Sequence, residues 1–421
     1  MVLHEKSAER AHSDANAGDV RTVVDTPSTI DFLGEAGSRG GPRLAANYRS
    51  ITRGHAIYYP VPYHFLRELG RGRQGIVFLG LRHGARGCVT RHAIKLFDPA
   101  IYPSPKKYWT DMGRIAAQTS KLQSVKSPNL VAPDIYEETN GVGYIQMEVV
   151  HGCSLRYLLD GEHLRTVRAA SSKDEWARIT DVIFRLDSKH RKVRIQPGIA
   201  LYVMRQVLRG LETLHEMGFV HSDVKPSNIM IDQLGYVKLV DYGRAVVANE
   251  KLTILLGTPQ YMAPETHRRE PSLVQSDIYS VGLVGLEMLR GEPLLPPEAT
   301  EAQLLEIKLQ LSSRLPDLLP DYVRQNAQFV VLLQRFLEPD PRRRYPSAVE
   351  AEVGSQGLLL VHKQLAQLGK DTEYGRELEN YLSKILSPLP GAPLPEETTQ
   401  LASPAAPPAV LAAETKPEEN P

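Results

Sequence analysis

The 421-residue chain reads as an α+β protein of two lobes, a small sheet-rich lobe followed by a larger helical one. Two observations predict that order. Residues 64–97 alternate apolar and polar side chains with β-branched positions among them, which is the period of strands. Further along, "LYVMRQVLRGLETLHEMG" sets Leu201, Met204, Leu208, Leu211 and Leu214 on one helical face, and 272–368 reads as helices joined by loops. Within this second half, "YVKLVD" (236–241) predicts one short strand.

The ends are of a different character. Residues 1–60 mix Ala, Gly, Ser and charge with little periodicity, and "GSRGGPR" (37–43) is expected to break any element, so a mostly disordered extension is predicted there. From 388 to 421, nine prolines stand among Ala, Glu and Thr, a composition unable to bury a core and expected to remain a disordered tail. Just ahead of it, within 366–387, Leu378, Tyr381, Leu382 and Ile385 recur at helical spacing and predict a helix that docks one apolar face on the body. An insert at about 160–197 carries, within 165–194, nine Lys/Arg against four Asp/Glu. It is expected to be a solvated surface insertion, with a docking site for an acidic partner or nucleic acid as the alternative use of its charge.

Composition excludes several classes. Apolar content of 42% and charged content of 24% fit a soluble globular protein, and a formal net charge of +1 gives no pull toward nucleic acid or membrane. Cys88 and Cys153 are too few for a disulfide framework or a four-cysteine zinc site, which points to a reducing compartment. With no signal-like or membrane-spanning apolar run, a cytoplasmic location is expected.

The residues that carry chemistry lie in separated stretches. "ELGRGRQGIVFLG" (68–80) holds Gly70, Gly72 and Gly75 at the spacing that lets backbone N–H groups approach phosphates. A dinucleotide fold would follow these glycines with a helix, whereas "IVFLGLR" continues as a strand, so the loop reads as a hairpin lid. Twenty residues on, Lys95 of "HAIKLF" stands off the strand alternation, as either a snorkelling edge lysine or a cation reaching the α- and β-phosphates. "HSDVKPSNIM" (221–230) then packs Asp223, Lys225 and Asn228 into six positions, and "DYG" places Asp241 thirteen positions beyond Asn228. An Asp and an Asn are hard oxygen donors suited to Mg²⁺ that also takes phosphate oxygens.

With "GTPQYMAPE" (257–265) and "SDIYSVG" (276–282) following in order, residues 63–365 resemble the protein kinase family. The glycine loop, "HAIK", "HSDVKPSN", "DYG" and "APE" each stand where the family has its signature segments. Lys225 together with Thr258 is similar to the Ser/Thr-specific branch, and the pattern looks bacterial in type. The resemblance implies a two-lobed protein-kinase-like fold, ATP and Mg²⁺ as cofactors, and a protein substrate. It implies Asp223 and Lys225 as the catalytic pair and Asn228 and Asp241 as metal ligands. Nucleotide contacts would come from Leu69, Gly70, Arg71, Gly72, Arg73, Gln74, Gly75, Ile76, Val77 and Lys95, and from Met147, Glu148 and Val150 of the hinge "QMEVV". It further implies that Glu265 pairs with Arg344 and that Asp277 braces the catalytic loop. Small-molecule kinases of the aminoglycoside type share the His-x-Asp but lack "KPSN" with "APE" and "SDIYS".

Two departures mark this sequence. The family pairs its strand lysine with a helix glutamate, and here the corresponding position, nine before Ser127, is Gln118, with no carboxylate between Asp111 and Asp134. Glutamine supplies no countercharge, so Asp111 or another region must substitute, and Gln118→Glu is expected not to diminish autophosphorylation. A nucleotide-binding pseudokinase acting as a scaffold is the competing reading. Ser222 replaces the arginine that would pair with an activation-loop phosphate, so phosphorylation of Thr253 is expected to have little leverage.

Overall fold

The structure, a computed structural model, describes residues 40–187, 192–241, 243–250, 258–296, 299–367 and 373–386. The predicted tail from 388 and the first 39 residues lie outside them, as does Thr253.

The first lobe opens with α1 (Gly40–Gly54), β1 (Ala56–Ile57), β2 (Tyr63–Gly72), β3 (Gly75–His83) and β4 (Val89–Phe97). Helix α2 (Pro105–Leu122), β5 (Pro133–Thr139) and β6 (Val142–Met147) complete it. One antiparallel sheet runs in the order β1-β2-β3-β4-β6-β5. Its covered face packs Phe78, Ile94, Leu96 and Tyr144 against Tyr108, Met112 and Ile115 of α2. Ser104 caps α2 by accepting from the Lys107 N–H, with Pro105 in the first turn where its missing donor costs nothing.

The expected disorder of 1–60 does not extend over residues 40–57. Leu44, Tyr48 and Ile51, spaced at i, i+4 and i+7, are buried in this same core, and burial of three large side chains outweighs the weak local propensity. The glycines and proline of "GGPR" occupy the first turn of α1, where Pro42 forfeits no helical bond.

The second lobe begins with β7 (Gly152–Ser154) and α3 (Leu155–Asp160). The insert follows as α4 (Leu164–Ala169), α5 (Lys173–Val182) and a hairpin of β8 (Phe184–Asp187) with β9 (Lys192–Ile195). It is not merely solvated surface, because Val167, Ile179, Ile183, Phe184 and Ile195 join the main core. Several of its cations are spent within the chain: Arg178 pairs with Glu377, Lys192 with Glu292, and Arg185 lies over the Tyr322 ring.

Helix α6 (Pro197–Glu216) is the central rod, its apolar face entirely buried as the sequence pattern predicts. Short strands β10 (Phe219–Val220), β11 (Ile229–Asp232), β12 (Val237–Leu239) and β13 (Val246–Val247) bracket the loops that carry the candidate site. Then come α7 (Pro264–His267), α8 (Val274–Arg290), buried from Ser276 to Leu289, α9 (Glu301–Leu318), α10 (Asp321–Arg324), α11 (Ala327–Phe336), α12 (Ala348–Glu352) and α13 (Leu358–Gln367). Finally α14 (Tyr374–Leu382) buries Tyr374, Leu378, Tyr381 and Leu382 against α5 and α6. Among the described residues no helix is long and apolar enough to cross a membrane.

Candidate active site

The glycine hairpin is set by the β2–β3 register, in which Gly70 faces Val77 and Gly72 faces Gly75 across a turn made by Arg73 and Gln74. Gly75 has φ +146°, and a Cβ there would stand 1.8 Å from the Leu96 carbonyl oxygen, so only glycine fits. Gly70 and Gly72 differ: a Cβ at either would meet nothing within 4 Å. The fold itself therefore does not require glycine at these two positions.

Strand β4 puts Lys95 directly opposite Val77 and Ile145, 5% exposed. Its ammonium pairs with Asp241, 146 residues away, and donates 3.1 Å to Gln74 Oε1. Burial pushes the Asp241 carboxyl up, but Lys95, followed by Arg244 and Lys225, overrides this and holds it at about 2. Asp241 is therefore a permanent anion. Its backbone lies at φ +61°, in the left-handed region, which turns it out of the strand direction just after Val240. Val240 N–H in turn donates 2.9 Å to the Asn228 carbonyl, so the two predicted metal ligands sit side by side.

Asp223 is the hub of the second lobe's contribution. Its Oδ2 accepts from Lys225 Nζ at 2.8 Å and from Asn228 Nδ2 at 3.1 Å. Its Oδ1 accepts from the Thr258 N–H and hydroxyl at 3.2 and 3.1 Å, and Lys225 Nζ also donates 2.9 Å to Thr258 Oγ1. Thr258 thus holds a hydroxyl against the carboxylate.

The loop's shape is enforced from below. Asp277 accepts from the backbone N–H groups of His221 and Ser222 at 2.7 and 2.9 Å and from His215 Nε2 at 2.9 Å. Those bonds hold Ser222 at φ +63°, a conformation a non-glycine residue otherwise avoids. His221 is fully buried, and burial lowers its pKa against the pull of Asp277, Asp223 and Asp241. The neutral ring accepts from the Asp223 N–H through Nδ1, which leaves Nε2–H to donate to the Val240 carbonyl at 3.2 Å. Arg344 and Glu265, both essentially unexposed, form a two-pronged pair at 2.7 and 2.8 Å.

Other predicted residues are placed as follows. The sheet pairing of β6 ends at Met147, opposite Ala93 and Pro133, which leaves Glu148 and Val150 beyond the ladder. Glu148 pairs with Lys238 at 2.7 Å. Leu69, Arg71 and Arg73 are exposed, with Arg71 turned to Glu68 at 2.7 Å, while the Ile76 side chain is spent on the core. Gln118 does not supply Lys95 with a hydrogen bond. Its Nε2 donates to the Ala245 carbonyl, a bond shared with Arg114 Nη1 at 2.9 Å, and Asp111 pairs with Lys107 at 3.1 Å. The region that substitutes for a helix carboxylate at Lys95 is therefore Asp241 together with Gln74 of the glycine hairpin.

Sequence reasoning missed Arg244, whose Nη1 lies 3.5 Å from Asp223 Oδ2 and adds a cation to the cleft. It also missed Lys308, buried on α9. A signal for the latter existed, since Leu304, Lys308, Leu311 and Leu315 fall on one helical stripe where a lysine is out of place.

Comparison with known proteins gives the same picture. The sequence profile described as protein kinase domain matches residues 63–352. The serine/threonine-protein kinase PknA of Corynebacterium glutamicum is 30% identical over 239 residues, covering 56% of this chain and 46% of that protein. Serine/threonine-protein kinase PknD of Mycobacterium tuberculosis is 27% identical over 311 residues, covering 72% of this chain and 40% of the relative. A probable serine/threonine-protein kinase, pknA2 of Bifidobacterium longum, is 27% identical over 234 residues, 55% of this chain and 26% of its own. The chain spans less than half the length of these relatives. With the profile matched across most of its length, the chain belongs to the protein kinase family.

Proposed function

We propose that this protein transfers the γ-phosphoryl group of Mg-ATP to serine and threonine hydroxyls of protein substrates. The observation that carries the reading is the meeting of Lys95, from the first lobe, with Asp241 beside the Asn228–Asp223–Lys225 loop of the second. Mg²⁺, held by Asp241 and Asn228, would supply the charge neutralisation that phosphoryl transfer needs.

This chain's residues fit the remaining roles. Asp241, anionic at any working pH, and the neighbouring Asn228 are the hard oxygen donors for the metal. Gly70 faces Val77, which in turn faces Lys95 on the next strand, and the bond of Lys95 to Gln74 is one that phosphate oxygens would replace. Met147 closes the adenine pocket, and the backbone groups of Glu148 and Val150 past the sheet's end are the ones to pair with the base. Asp223 accepts the proton of the substrate hydroxyl in the place where Thr258 now donates, and Lys225 offsets charge on the transferring group.

Radiolabel transfer from γ-labelled ATP to a protein acceptor tests the reading, with Asp223→Asn alongside. Wild type is expected to label serine and threonine, and the variant to lose roughly 10²–10⁴-fold in rate. The pseudokinase reading has one observation in its favour, the turning of Gln118 to Ala245 rather than to Lys95. Stabilisation of wild type by Mg-ATP without any label transfer would establish it.

A further inference from the structure

The segment after Thr258 is held from a side that has no part in the chemistry. Lys308, on α9, is 0% exposed, an unusual burial for an ammonium. Its Nζ donates to the Pro259 carbonyl at 2.6 Å, to the Met262 carbonyl at 2.7 Å and to His267 Nε2 at 2.8 Å. Three N–H donors meet three acceptors, so the group is fully satisfied where it sits. His267 is able to accept because burial, with Lys308 beside it, draws its pKa down to about 4; the neutral ring turns Nδ1 toward Glu301 Oε1, 3.3 Å away. The same segment is tied elsewhere by Ser280 Oγ to the Tyr261 carbonyl at 2.7 Å and by Tyr261 hydroxyl to Glu287 at 2.5 Å.

What this clamp positions follows from its geometry. Thr258 touches Asp223 and Lys225, so the backbone running on through Met262 is the wall beside which a chain must lie to bring a hydroxyl to Asp223. Between Thr258 and Met262, Lys308 fixes two of the carbonyls and leaves the glycine hairpin and the hinge untouched. Its worth is therefore in placing the acceptor protein, not the nucleotide.

We infer that Lys308 is a positioning residue that locks segment 258–262 as the platform for the phosphoacceptor polypeptide. The inference rests on the kinase reading given above. Lys308→Met keeps the length and removes the three bonds. The Michaelis constant for a protein acceptor is expected to rise roughly 10- to 100-fold, the range for losing hydrogen bonds of a charged group, while that for ATP stays within twofold. A rise shared equally by ATP, or no change in either, overturns the inference. Absence of transfer by wild type overturns the kinase reading itself, a result distinguishable from these.

A second measurement needs no variant. Burial pulls the Lys308 pKa down to about 7, against Glu265 and Glu301, which pull it up. The ionisable groups around it are Glu265 and His267 of α7, Glu301 of its own helix, and Tyr279 of α8, whose hydroxyl faces the Lys308 carbonyl at 3.4 Å; Glu265 is held by Arg344. Above neutrality the amine keeps two of its three donors. In wild type the acceptor Michaelis constant is expected to climb between pH 6 and 8.5, with that for ATP flat; parallel profiles for both overturn the platform role.

Discussion

A lysine buried without a carboxylate partner in direct contact leaves a thermodynamic trace that can be worked out in advance. Lys308 ordinarily titrates at 10.5 and is pulled to about 7 by burial. Between those values the unfolded chain holds the proton and the folded chain does not. Stability therefore rises with pH across this window, because the unfolded state binds more protons, and the contribution is lost as pH falls to 7. The slope is at most about 1.4 kcal/mol per pH unit, or on the order of 2–3 kcal/mol between pH 7.5 and 9.5. That is a sizeable share of a total of roughly 5–15 kcal/mol. Urea unfolding of wild type and Lys308→Met at pH 7.5, 8.5 and 9.5 measures it, since every other titrating group is common to both and cancels. The difference between the two proteins should grow with pH in favour of wild type. Parallel curves would show that Lys308 keeps an ordinary pKa, and that its hydrogen bonds rather than its desolvation dominate.

Other outcomes follow from particular contacts. Glu265→Gln removes the countercharge of the buried Arg344 guanidinium, leaving it one amide oxygen and the Glu338, Gln275 and Pro339 carbonyls as acceptors, and should cost about 3 kcal/mol in chemical unfolding. Tyr48→Ala removes a ring of the α1 helix from the first lobe's core and should cost roughly 3 kcal/mol; an unchanged melting temperature would mean that α1 does not stay docked. Gln118→Glu puts a carboxylate against the Ala245 carbonyl in place of a donor and should cost about 1–3 kcal/mol of stability, a quantity separate from the autophosphorylation that is expected not to diminish. Equal stability of Gln118→Glu and wild type would show that the side chain turns elsewhere, toward Lys95.

The lobe order, the strand and helix identities and the cleft residues were legible because each is a local pattern. Leu201 to Leu214 announce their buried face by period, and "HSDVKPSN" holds its aspartate, lysine and asparagine within a single loop. Gly75 is fixed by the backbone it must adopt, a requirement that one position carries by itself. Helix α1 was not legible: "GGPR" has poor local propensity, and what holds the helix is a core contributed by residues up to a hundred positions away. The basic insert looked solvated because charge can be counted in a sequence, whereas the partners that consume it, Glu377 and Glu292, lie about a hundred residues or more further along.

The sequence by itself determined which chemical groups this protein carries and the order in which they come, since residue type and short-range spacing are written directly in the chain. Which group answers which was decided only by the tertiary structure. Lys95 meets Gln74 and Asp241 while Gln118 turns to Ala245, and Lys308 reaches beneath the segment beside Asp223. Hydrogen bonds and ion pairs act over about 3 Å, and separations of that size between residues 21 to 146 positions apart exist only after the two cores have closed.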